Sequence, residues 1–101
     1  MCYNKNKRLE VIGVEQLRPV DVISVCSAEG EIRPLRLRVE GEDKELQRLD
    51  IEEVVSVRRV PYVGVEAYVF LCRTTSGGQG RLLELKYSIR SHTWWILRFL
   101  H

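Results

Sequence analysis

The sequence has few of the residues that bind metal ions or carry redox chemistry. Its three cysteines, Cys2, Cys26 and Cys72, lie far apart, so neither a zinc knuckle nor a redox Cys-x-x-Cys motif can form locally. The two histidines, His92 and His101, do not have the i, i+4 spacing of a helical zinc motif. We therefore expect no metal and no cofactor. Cys26 and Cys72 fall inside predicted strands and are expected to be inert core residues.

Long apolar segments are also missing. No run approaches the roughly 18 apolar residues that a transmembrane helix needs. Residues 1–8 are polar and basic with no apolar segment behind them, unlike a secretory signal peptide. We therefore expect a cytoplasmic protein that does not contact a membrane. With 101 residues, 45% of them hydrophobic and 30% charged, the chain fits one globular domain over 9–101 behind a polar tail over 1–8.

Lysine is scarce among the basic residues. The chain has twelve arginines and only four lysines, and its net charge is +2. Arginine pairs bidentately with carboxylate or phosphate and stacks on aromatic rings, whereas lysine is a point charge. One interpretation is arginine–glutamate pairing between strands, in a protein with the codon bias of a GC-rich genome. The other is a surface that binds phosphate or acidic groups.

Alternation of apolar and charged residues predicts β-strands along most of the chain. The clearest case is 35–40, where Leu35, Leu37 and Val39 should point inward and the charged residues between them outward. The preceding Pro34 cannot donate to a ladder, so we expect that end of the strand at an edge or a bulge.

Four further segments complete the strand pattern. An apolar, β-branched run over 20–26 stops before Gly30, which can adopt the positive φ of a tight hairpin. Residues 65–74 are apolar on both faces, which predicts the central and most buried strand. Residues 82–89 alternate again, and 93–100 form the last strand.

Residues 44–53 allow two interpretations. They are good helix formers, so a one-turn helix at 44–48 is possible. We favour a strand, because a hairpin with 35–40 would bury the apolar faces of both. Val55 and Val57 continue the inward parity of this strand, and only Glu53 breaks it, which indicates a bulge or a short turn.

The pattern amounts to about six strands joined by short turns, with at most one short helix. An antiparallel meander of this size closes into a small barrel or curls strongly, because an open sheet leaves adhesive edges. We therefore predict a mainly β protein, built as an SH3-like or split barrel.

Catalytic motifs are not found. Glu52 and Glu53 are adjacent carboxylates in a predicted strand, and neighbouring strand residues point to opposite faces. The glycine-rich segment 77–80 lacks the Gly-Lys-Ser/Thr ending of a phosphate loop and is followed by a strand. We predict that the protein is not an enzyme; a cavity that holds His92 beside a carboxylate would speak for catalysis.

The last strand carries the candidate protein interface. It is apolar on both faces and, at the edge of a sheet, would have to be covered by the N-terminal segment or by a second subunit. Strict alternation places Arg98 on the face of Trp94 and Ile96, and Phe99 on the opposite face. Trp94, Ile96 and Leu100 are predicted to form the centre of a homo-oligomeric or partner contact.

The alternative function is binding of single-stranded nucleic acid. Such a barrel follows phosphates with basic residues and stacks bases on aromatic rings, for which Trp94 and Tyr68 are possible platforms. The candidate contacts are the outward-facing arginines Arg36, Arg38, Arg58, Arg59, Arg73 and Arg98.

Several strand segments together resemble a group of short bacterial β-domains without assigned activity. These segments are 33–38, 51–57, 68–70, 83–85 and 94–97. That group runs from a Pro-x-x-Phe-x-Trp-type strand to a closing Trp-x-Leu strand, and the resemblance covers 33–99. Here the first strand has no aromatic residue, and Gly41-Glu42 stands in place of the group's Gly-Arg hairpin. The resemblance implies a β-meander and no activity, cofactor or site residue.

Overall fold

The computed structural model describes residues 17–40, 44–61 and 66–100, and within them it contains seven strands and no helix. The strands are β1 (Arg18–Pro19), β2 (Asp21–Cys26), β3 (Ile32–Glu40), β4 (Leu46–Val60), β5 (Ala67–Ser76), β6 (Gln79–Ser88) and β7 (Thr93–Leu100). They form one antiparallel sheet in the order β1-β7-β6-β5-β4-β3-β2. The sheet curls into a half-barrel, which confirms the predicted mainly β fold. The polar tail predicted over 1–8 lies outside the described residues.

The two ends of the sheet are joined by one bent segment. β1 and β2 stand at opposite ends of the strand order, yet only Val20 separates them in the chain. Pro19 pairs with Trp95 of β7, whereas Asp21 already pairs with β3. The N–H of Val20 donates to the carbonyl of Trp94 at 3.0 Å. The curl is therefore fixed by backbone hydrogen bonds where its two ends meet.

The core fills the inner face of the curl. Its buried members are Leu37, Leu49, Phe70, Cys72, Leu83, Leu85, Trp94 and Ile96. β5 lies at the centre of the sheet, as predicted, and is buried on both faces: Phe70 and Cys72 on the inner face, Ala67 and Val69 on the outer. Burial of this apolar area is the main stabilising contribution to a domain of this size.

Residues 46–53 of the uncertain segment 44–53 belong to a strand, and the helical alternative is wrong. β4 begins at Leu46 and pairs with β3 over 46–50, which is the predicted hairpin. The register of β4 against β5 shifts between Ile51 and Glu53, so the expected irregularity near Glu53 is a β-bulge. Hairpin pairing wins over helix propensity here because it buries Leu49 in the core.

Bulges overturn two inward assignments. The pairing of β2 with β3 skips Leu35, which leaves it 41% exposed, while the neighbouring Pro34 is buried. Pro34 thus stands at a bulge, as expected for a residue that cannot donate to the ladder. In β4 the register shifts again between Val54 and Ser56, and Val55 is 43% exposed. Each extra residue reverses the inward and outward alternation on one side of the bulge relative to the other.

A third bulge corrects the faces of the last strand. The pairing of β7 with β6 skips Leu97, so Arg98 lies opposite Glu84 and Phe99 opposite Leu83. Phe99 therefore packs against the core, and Arg98 shares the outer face with Glu84. Strict alternation had placed these two side chains the other way round.

Candidate functional site

The residues predicted to form an apolar interface on β7 lie mostly inside the protein. Trp94 and Ile96 are 7% and 1% exposed, and Leu100 is partly buried. The Trp94 ring lies 5.5 Å from that of Phe70 and 4.8 Å from that of Tyr87, measured between centroids. β1 pairs with this part of β7 and covers its edge. Trp94 and Ile96 therefore stabilise the core and are not accessible to a partner in this fold.

The candidate arginines are paired with carboxylates instead of forming a basic groove. Arg59 forms no ion pair with a described residue. The other five candidate arginines each form an ion pair: Arg36 with Asp50 at 2.8 Å, Arg38 with Asp21 at 2.9 Å, Arg58 with Glu84 at 3.8 Å, Arg73 with Glu53 at 3.3 Å and Arg98 with Glu84 at 2.9 Å. This interleaving of charge favours the structural interpretation of the arginine excess.

The possible stacking platforms also lie apart from most of these arginines. Trp94 and Tyr68 pack on the inner face of the sheet with the core. Arg58 and Arg98 meet Glu84, whose side chain is only 12% exposed, on the outer face. Of the six candidates only Arg59 pairs directly with Tyr68. A groove with arginine walls and an aromatic floor is therefore not formed by the described residues.

His92 does line a cavity, but it is not paired with a carboxylate. The cavity, about 770 Å³, lies where β1 and β7 meet the ends of β3 and β4, and Asp21 and Glu40 also line it. The Nδ1 atom of His92 is 2.9 Å from the hydroxyl oxygen of Tyr87, and Asp21 binds Arg38. Asp21 and Glu40 thus line the same cavity as His92, but among the described residues no carboxylate hydrogen-bonds to it.

The two described cysteines differ in environment. Cys72 is fully buried in β5, and this burial raises the pKa of its thiol to about 12. Cys72 is thus a core residue, as predicted, and the raised pKa leaves little of the reactive thiolate at neutral pH. Cys26 at the end of β2 is an exposed free thiol, which corrects its prediction as a core residue.

β2 exposes apolar side chains to solvent. Five of its six residues are exposed, including Ile23 at 58% and Val25 at 41%. Val22 packs against the core, so it points inward. Because side chains alternate along a strand, Ile23 and Val25 lie on the outer face. We call the exposed residues Ile23, Val25 and Leu35 the β2 patch. Arg36 and Arg33 of β3 lie beside Ile23 and Val25, respectively.

The free edge of β2 presents unpaired backbone groups. The N–H of Ser27 donates across the hairpin toward the β3 side at 2.8 Å, and the N–H of Val20 donates toward β7 at 3.0 Å. Because successive N–H groups of a strand point to opposite edges, those of Val22, Ser24 and Cys26 point away from β3. No strand of the described residues pairs with that edge. The edge can therefore accept an additional strand.

Sequence reasoning recognised β2 as a strand but not as a surface. Its run of β-branched residues is typical of a buried strand, and Ile23 and Val25 look like core residues. The available signal is Ser24, a polar residue at an inward position between Val22 and Cys26. On its own this signal does not distinguish an edge strand from a strand with one polar core residue.

Comparison of the chain with known proteins finds no match among family models, curated proteins or solved structures. Within the described ranges, no group of three or more histidine, cysteine or acidic side chains could hold a metal ion. The same part of the chain contains no helix long and apolar enough to cross a membrane.

Proposed function

We propose that this protein is a binding module, not an enzyme, that joins another polypeptide by adding a strand to the free edge of β2. The observation that carries the proposal is an apolar strand that is exposed and, among the described residues, unpaired along one edge. Edge strands of monomeric proteins are usually protected by charge, proline or a covering segment. Between Val22 and Cys26, β2 has no charged residue and no proline.

The geometry of β2 supports an extended polypeptide as the partner. Strand addition provides backbone hydrogen bonds from Val22, Ser24 and Cys26, and specificity then depends on alternate side chains. The partner segment must be extended, with apolar side chains over Ile23 and Val25. The proposal includes a reducing, cytoplasmic setting, which the exposed free thiol of Cys26 supports.

A peptide-selection experiment tests this function. A library of random extended peptides is selected against the wild-type protein, and each binder is then measured against Ile23→Lys and against Val55→Lys. Val55→Lys is the control because Val55 is also an exposed β-branched residue of a strand, 43% accessible against 58% for Ile23, and it lies on β4. We expect Ile23→Lys to weaken binding at least about tenfold and Val55→Lys to leave it unchanged. Equal effects of both variants, or a failure to select any peptide, would refute strand addition at β2.

The alternative function is binding of single-stranded nucleic acid, and a titration with an oligonucleotide tests it. A fluorescent single-stranded oligonucleotide at low ionic strength should bind tightly, with an affinity that falls steeply with salt, if the arginines contact phosphates. The ion pairs of Arg36, Arg38 and Arg58 speak against this result, because each phosphate contact would have to displace a carboxylate. We therefore expect no binding.

A further inference from the structure

The β2 edge is complementary to itself, and we infer that its partner is a second copy of this chain. This inference rests on the proposed function and identifies its partner. The two copies pair β2 with β2 in antiparallel orientation about a two-fold axis at Ser24. The half-barrels thereby become one continuous sheet across the dimer.

The directions of the backbone groups fit this axis. A residue that pairs with its own copy in a hydrogen-bonded pair must direct its N–H and C=O to the free edge, and Ser24 does so. The neighbouring hydrogen-bonded pairs are then Val22 with Cys26 of the second copy, and Cys26 with its Val22. Each such pair exchanges two hydrogen bonds, so the three pairs give about six backbone hydrogen bonds.

The side chains are complementary in the same register. Ile23 of each copy lies opposite Val25 of the other in a non-hydrogen-bonded pair, where side chains approach most closely. Four apolar side chains then form one strip, and Leu35 extends it on each side. A shift of two residues would place Asp21 opposite Val25 and leave a single Ile23–Ile23 pair. The pattern of β2 thus selects the axis at Ser24.

Charge complementarity supports the same arrangement. The β2–β3 hairpin tip carries Glu29 and Glu31, and it extends from β2 toward the position where β2 of the second copy begins. Arg18 lines a cavity with Asp21 and Val22, so it lies at that end of β2. Arg18, Glu29 and Glu31 are exposed and form no ion pair with a described residue. In the dimer each acidic tip therefore approaches an arginine of the other copy.

The interface is small, and we therefore expect weak dimerisation. A strand of six residues spans about 20 Å. One strand pair with a strip of four aliphatic side chains belongs to the weak, transient class of contacts. We therefore expect a dimer that dissociates on dilution, and its detection requires measurements over a range of concentrations.

Sedimentation equilibrium of the full chain tests self-association. The wild-type mass should rise from the monomer value of 11.8 kDa toward twice that value between about 1 µM and about 1 mM. Ser24→Pro removes an N–H from the free edge only, so it should stay monomeric while its near-UV circular dichroism remains that of the wild type. Ile23→Lys should raise the dissociation constant about 30-fold. Val55→Lys should not change it.

Disulfide trapping tests the register. In a background with Cys2 and Cys26 replaced by serine, Ile23→Cys mixed with Val25→Cys should form a disulfide-linked heterodimer under mild oxidation. Ile23→Cys alone should crosslink poorly, because residues 23 of the two copies do not face each other in this register. Self-crosslinking of Ile23→Cys above that of the mixture would overturn the axis at Ser24.

The outcomes separate this inference from the proposed function. A wild-type protein that stays monomeric at every concentration overturns self-pairing, and so does association that Ser24→Pro and Ile23→Lys do not weaken. Peptides selected at β2 would in that case still support strand addition, with a partner other than a second copy. Charge reversal gives an independent check: Arg18→Glu should weaken dimerisation, and Arg18→Glu combined with Glu29→Arg should restore part of it.

Discussion

β2 and β5 are built from similar residues and have opposite surroundings. β5 contains Val69, Phe70 and Cys72, each at most 4% exposed, and it has a hydrogen-bonded neighbour on both sides. β2 contains Ile23, Val25 and Cys26, all exposed, and within the described part of the chain it has a paired strand on one side only. The difference therefore comes from position in the sheet and not from the kind of side chain.

This contrast shows which apolar strand contributes to stability and which is available for contact. A buried strand gains from the removal of apolar area on both faces, at roughly 25 cal/mol per Å². An exposed strand gains little of this, and in β2 the same side chains remain in water. An apolar strand kept in that state is an expected feature of an interaction surface.

The largest effect is expected at Phe70. Phe70→Ala removes a 2% exposed ring that packs on Trp94 and should lower the free energy of unfolding by about 3–5 kcal/mol. Ile23→Ala should change it by less than about 0.5 kcal/mol. Urea unfolding at a concentration where the protein is monomeric measures both. A comparable loss in the two variants would show that β2 is covered in solution.

A pair of matched substitutions separates the effect of burial on stability from the effect of strand propensity. Val69→Thr and Val25→Thr are nearly isosteric, and threonine and valine both favour strands. At Val69 the new hydroxyl enters an enclosed site, so we expect a loss of about 1–3 kcal/mol. At Val25 the hydroxyl meets water, and unfolding should be almost unchanged. Unfolding curves that shift equally would contradict the outward orientation of Val25.

Much of this fold is predictable from local pattern, and the candidate site is not. Alternation and a both-face apolar run identify the strands that contain Leu37 and Phe70, because period 2 depends only on neighbours along the chain. The predicted orientations of Leu35, Val55 and Phe99 are wrong, because each is changed by a bulge and a bulge depends on pairing with another strand.

The exposure of β2 is not predictable for a related reason. Whether Ile23 is covered depends on which strands complete the sheet order, and that order is a property of the whole chain. The ion pairs show the same limit: arginine–carboxylate pairing could be anticipated from composition, but the partner of each arginine follows from register. Arg98 binds Glu84 only because the bulge at Leu97 turns it outward.

The cysteines of the two strands give a pH-dependent comparison. The pKa of Cys72 is raised from 9.0 to about 12 by burial, so the folded protein keeps a proton that the unfolded chain releases above pH 9. The contribution of this thiol to the free energy of unfolding is fully present below pH 9. It falls as the pH rises from 9 toward 12, by about 1.4 kcal/mol per pH unit. Urea unfolding at pH 8, 9 and 10 measures this slope against Cys72→Ala, which lacks it.

Cys26→Ala is the matched control and should retain the slope of the wild type, because the thiol of Cys26 is exposed. Reaction with a thiol-specific reagent adds a kinetic check. In folded protein Cys26 should react at once, whereas Cys72 should react only as fast as the protein unfolds. Rapid modification of Cys72 would show that β5 opens more easily than its burial indicates.

The smallest effects are expected at the ion pairs, which again differ between the two sides of the sheet. Asp21 of β2 binds Arg38 at 2.9 Å with side chains 77% and 57% exposed, so Asp21→Asn should cost less than about 0.5 kcal/mol. Glu84 lies beside β5 at 12% exposure between Arg58 and Arg98, and Glu84→Gln should cost about 1 kcal/mol. High salt should abolish the first loss and reduce the second, because screening acts more strongly on exposed charges. Equal losses of stability in the two variants, with equal salt dependence, would mean that Glu84 is as solvated as Asp21. The outer face of β5 and β6 would then be more open than the burial of Val69 indicates.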